Sequence, residues 1–144
     1  MIEQDTIRLL RECDAGIQMG ISSIEDMLPR VENSAFRDKM KRCKAEHEKL
    51  KREVREELDR YQDEGKSPSK VVQGLSAAKT SVMFAMDATD ETAASLITDG
   101  CNMGVKSLNQ YLNEYEAADE RSKDIAKRLI HLEQQLATDI RAYL

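Results

Sequence analysis

The chain predicts an all-α fold: an up-and-down bundle of about five helices, in which two related helical hairpins are joined by a crossover helix. Three observations carry this. Apolar residues recur at three- and four-residue spacing through nearly the whole chain, the period of one helix face. The composition favours helix, with 34% charged residues and only two Pro in 144 residues. With no Trp and two Phe, the core must be aliphatic and rich in Met. The chain also echoes itself. Gly16-Ile17-Gln18-Met19-Gly20-Ile21-Ser22-Ser23-Ile24 returns 84 residues later as Gly100-Cys101-Asn102-Met103-Gly104-Val105-Lys106-Ser107-Leu108. Asp38, Lys41, Arg42 and Leu50 match Asp124, Lys127, Arg128 and Leu136 at 86, and the two extra residues fall in the intervening turn. The length suits one domain over 1–144.

The first helix is expected over 4–28, with Ile7, Leu10, Ile17, Ile21, Ile24 and Leu28 as its stripe. Pro29 stops it, because the residue before a proline is pushed out of the helical region. Asn33 or Ser34 caps the second helix, over 34–64. Its stripe of Phe36, Met40, Cys43, His47, Leu50, Val54, Leu58 and Tyr61 is close to a heptad seam. Beyond Leu50 nearly everything off the seam is charged. Gly65 reads as the stop. A third helix over 68–87 carries Val71, Val72, Leu75, Ala78, Val82 and Met86 and crosses back along the bundle. A fourth over 90–116 turns Leu96, Ile97, Cys101, Gly104, Leu108, Leu112 and Tyr115 inward. A fifth over 120–143 turns Ile125, Leu129, Leu132, Leu136, Ile140 and Tyr143 inward.

Gly16, Gly20, Gly100 and Gly104 stand in mid-helix, where glycine costs about 1 kcal/mol relative to alanine. Their i, i+4 spacing is expected to let the first and fourth helices approach closely. The bulk numbers exclude several functions. A net charge of −5 without a one-sided basic patch argues against nucleic acid. No stretch approaches the roughly 20 apolar residues of a membrane span, and no signal peptide is visible, so the expected place is the cytoplasm. Cys13, Cys43 and Cys101 lack CxxC spacing and read as free, buried thiols. Ser76, Ser81 and Ser107 have no His and Asp around them in a triad pattern.

The phrase Gly16-Ile17-Gln18-Met19-Gly20-Ile21, its echo Asn102-Met103-Gly104-Val105 and the tail Ala126-Lys127-Arg128-Leu129-Ile130 resemble an uncharacterised group of bacterial ferritin-like four-helix bundles. That resemblance implies the fold more than any activity. Di-metal members of the superfamily need a Glu from each of two helices and a Glu-x-x-His from each of the other two. Here Lys44 stands three residues before His47, and Glu133 occupies the place that matches His47, with Ile130 three residues before it. The other two helices offer Asp14 and Asp99. An intact di-metal centre is not expected, nor is any cofactor.

Asp14, Cys43, His47, Cys101 and Glu133 remain at one level. They are read first as a histidine hydrogen-bonded to Glu133, which raises the histidine pKa. The alternative is a single zinc-like ion held by Cys43, His47, Cys101 and an acidic group. The favoured function is a non-enzymatic bundle acting by oligomerisation or partner binding. Leu50, Val54, Leu58 and Tyr61 would be the exposed interface of a homodimer, or the seat of another protein. A metal-binding or redox protein with an altered site is the alternative, and a small-molecule sensor using the glycine notches is the third.

Overall fold

The computed structural model describes residues 2–66 and 88–144. Four helices account for most of them: α1 (Ile2–Met27), α2 (Ser34–Arg60), α3 (Asp90–Glu114) and α4 (Glu120–Asp139). Short 3-10 turns follow α1 and α4, at Leu28–Arg30 and Arg141–Tyr143. The described residues form no strand, and no described helix is long and apolar enough to cross a membrane. The expected helix over 68–87 lies outside the described residues.

The helix starts follow local chemistry. The side chain of Asn33 accepts from Phe36 N, Thr89 from Thr92 N, and Asp119 from Ser122 N. Each satisfies a first-turn N–H that has no partner within its helix. Pro29 falls in the 3-10 turn that closes α1. The end of α2 differs from expectation. It stops at Arg60, four residues short, because the backbone reverses at Gln62 with φ 53. Gln62 N donates to Asp59 O and Asp63 N to Leu58 O, the paired bonds of a Schellman turn. Gly65, with φ 82, makes a second bend. Residues 63–66 lie back along α1: Asp63 pairs with Arg11, and Lys66 with Glu12.

Around the bundle α1 packs on α2 and α3, while α4 packs on α2 and α3 and crosses to α1. Lys39 with Asp139, His47 with Glu133, and Glu53 with Arg128 set α2 and α4 antiparallel. The first turn of each hairpin clasps the turn of the other. Asp5 accepts from Ala117 N and Thr6 from Asp119 N, while Asp90 accepts from Glu32 N and Asn33 N. The start of α3 therefore lies beside the α1–α2 turn. Helices α1 and α4 run one way and α2 and α3 the other, so the link from α2 to α3 is the one long crossover.

The core falls into two clusters. One holds Ile24, Met27, Phe36, Met40, Ile97 and Leu136, and the other Leu9, Leu10, Ile17, Leu50, Val54, Leu58, Ile125 and Leu129. This corrects the expected exposed stripe. Leu50 is buried, Val54 and Leu58 are 0% exposed, and Tyr61 packs partly buried on the same cluster. The seam is narrow, but α1 and α4 flank it from both sides. It offers no surface to a second chain, and Leu58→Asp would disrupt the bundle rather than a dimer.

Candidate functional site: a polar layer in the core

Between the two apolar clusters lies one layer to which each helix contributes a residue: Gly20, His47, Gly104 and Glu133. Each continues the apolar stripe of its helix, with Ile17 and Ile24 around Gly20, Cys43 and Leu50 around His47, Cys101 and Leu108 around Gly104, and Leu129 and Leu136 around Glu133. His47 is 1% exposed. Its Nδ1 lies 2.8 Å from the carbonyl oxygen of Cys43, one turn back, and its Nε2 lies 3.0 Å from Glu133 Oε1. Both nitrogens face acceptors, so both must carry hydrogen for the ring to be satisfied. That form is the imidazolium, and Glu133 supplies its counter-charge. Burial works against the charge, but the contacts with Cys43 and Glu133 outweigh it and raise the His47 pKa from 6.5 to about 10.

The glycines serve this pair. A Cβ at Gly20 would meet His47 Nε2 at 2.8 Å and Cδ2 at 2.9 Å, so only glycine lets the imidazole lie against α1. A Cβ at Gly104 would meet the Glu133 carboxyl group at 3.7 Å. Gly16 would touch only Leu129, at an ordinary 3.9 Å, and Gly100 would meet nothing within 4 Å. The expected close approach of two helix backbones is thus replaced by side-chain clearance at Gly20, while Gly104 would meet Glu133 only at ordinary contact distance.

Of the five polar residues expected at one level, four come together. The Cys43 Sγ lies 3.4 Å from His47 Nδ1, and Cys101 is near enough to Glu133 to feel its charge. Burial and that carboxylate both push the Cys101 thiol pKa up. Asp14 is elsewhere: it is buried on α1, where a carboxylate oxygen accepts from Lys66 N at 3.2 Å. Asp99 is exposed, and Lys44 pairs with Glu25. Of the four that meet, His47 and Glu133 share a hydrogen bond with the two thiols beside them, and among the described residues no group of three or more His, Cys, Asp or Glu is placed to hold a metal ion. Cys13 lies apart in the other cluster, its pKa pushed up to about 12 by burial.

One buried charge escaped the sequence reading. Glu57, 3% exposed, pairs with Arg60 on its own helix and with Arg121 at the start of α4. Its signal was the i, i+3 spacing to Arg60 beside the seam residue Leu58. His131 sits on the rim of a shallow groove between α2 and α4. No protein family, curated protein or solved structure matches the chain.

Proposed function

We propose that the chain is a ferritin-like helical bundle that acts without catalysis, by binding a second copy of itself through the α1 and α3 surface. The supporting observation is a pair of exposed methionines. Met103 is 65% and Met19 36% exposed, and they occupy matching places, each one residue before a glycine of the polar layer. Large apolar side chains left in water on neighbouring helices are a feature of association surfaces, and methionine adapts to uneven partners. Two exposed methionines at matching places suit a two-fold contact between identical chains. The ferritin-like assignment rests on the single long crossover between two hairpins and on the 84-residue echo. The interior supports a non-catalytic role, because both nitrogens of His47 are already engaged.

Sedimentation velocity over a range of concentrations tests this, with Met19→Asp/Met103→Asp beside the parent chain. A dimer that the double variant converts to a monomer of unchanged helicity is the expected result. A parent chain that stays monomeric throughout, or a variant that still dimerises, overturns it.

A further inference from the structure

The charges of the bundle sort by face. Within α2, residues 37–52 carry eight Lys and Arg against three Asp and Glu, although the whole chain has a net charge of −5. On the opposite side, α1 carries two Lys and Arg against six Asp and Glu, and α3 one against four. Lys41, Arg42, Lys51 and Arg52 are exposed, and none has an ion-pair partner among the described residues.

This basic stretch borders a groove between α2 and α4. Two adjoining hollows, of about 170 and 280 Å³, share Glu46, Leu132 and Gln135. Together they run from Lys39 to Glu53 on α2, roughly 21 Å at 1.5 Å per residue. Leu132 stands partly buried where the two join, and Leu50 and Leu136 line one hollow each. The carboxylates of the groove are already engaged. Glu46 takes Lys49, Glu53 takes Arg128, and Asp139 takes the Gln135 amide. Arg42 has no such partner, so the free charge at the groove is positive.

We propose that this groove is the docking site for an acidic amphipathic helix of another protein. About four helical turns match its length. The apolar stripe of that helix lies on Leu132, and its carboxylates reach Arg42 and the exposed cations beside it. The leucine floor separates this occupant from a nucleic acid, which offers phosphates but no apolar stripe to fill it. The groove lies opposite the α1–α3 surface, so both can be occupied at once and either proposal can fail alone.

The test is fluorescence anisotropy with a labelled peptide of about 18 residues, Leu at three- and four-residue spacing and Glu elsewhere. Saturable binding of one peptide per chain is expected. Raising NaCl from about 50 to about 300 mM should weaken it about tenfold, because salt screens exposed charges. In Arg42→Glu/Lys49→Glu, with helicity checked by circular dichroism, the affinity at low salt should fall about tenfold. If that variant unfolds, Arg42→Ala replaces it with a loss of about threefold, the scale of one exposed charge pair. Met19→Asp/Met103→Asp should bind the peptide as the parent chain does. No binding to the parent chain, equal binding of a peptide with Lys for Glu or Ser for Leu, equal binding of a DNA duplex, or a folded groove variant with the parent affinity each overturns the proposal.

Discussion

Gly20 decides whether the polar layer can form. Alanine there would place a methyl group 2.8 Å from the His47 ring. The imidazole cannot retreat without losing Glu133 or the Cys43 carbonyl oxygen. Gly20→Ala should therefore cost about 1–3 kcal/mol, the range for overpacking a filled core. Gly100→Ala meets open space and removes a poor helix former, so it should gain up to about 1 kcal/mol. Urea unfolding of the two variants side by side checks both signs. A second consequence lies in His47 itself. Its folded pKa, near 10, exceeds its ordinary value of 6.5. The stability it contributes is complete below about pH 6.5 and is lost as the pH rises towards about 10. The parent chain should weaken across that window more steeply than His47→Gln. Imidazole nitrogen shifts at pH 8 should report His47 fully protonated, and a neutral ring at that pH would end this account.

At the scale of the elements, the helix starts were legible and one end was not. Asn33 announces a cap because a short polar side chain ahead of an apolar stripe has one obvious use. The end of α2 was misread as lying near Gly65, because glycine is the usual residue for a left-handed turn. The turn is made instead by Gln62, and Gly65 bends the chain a second time, beside Asp14. A left-handed residue with a side chain carries a cost of roughly 1–2 kcal/mol, partly offset by glycine's extra freedom when unfolded. Gln62→Gly should thus raise stability by about 0.5–1 kcal/mol, read as a shift in the urea midpoint at constant slope. A loss would mean that the Gln62 side chain makes a contact worth more than the strain.

Across the whole molecule, periodicity gave the helices and the seam but not the neighbours. The second half of α2 looked suited to one partner, because beyond Leu50 only every third or fourth residue is apolar. In the bundle Glu53 and Glu57 reach Arg128 and Arg121, so charged residues beside the seam bridge α2 and α4 along its solvent edge. The polar layer was largely legible, since Cys43, His47 and Cys101 fall in stripe positions and the 86-residue echo matches Glu133 to His47. Asp14 was misplaced because six residues separate it from Gly20, which turns it about 120° around the helix and away from His47.

A bundle of two similar hairpins with aliphatic seams could, on shape alone, settle with one hairpin slid by a turn against the other. The slid arrangement would move Glu133 away from His47 and press each into aliphatic neighbours, stranding a buried charge at a cost of about 3–5 kcal/mol. The His–Glu pair with its glycine recess at Gly20 works as an alignment pin: it fits at one height only, and the oily layers above and below need no marks of their own.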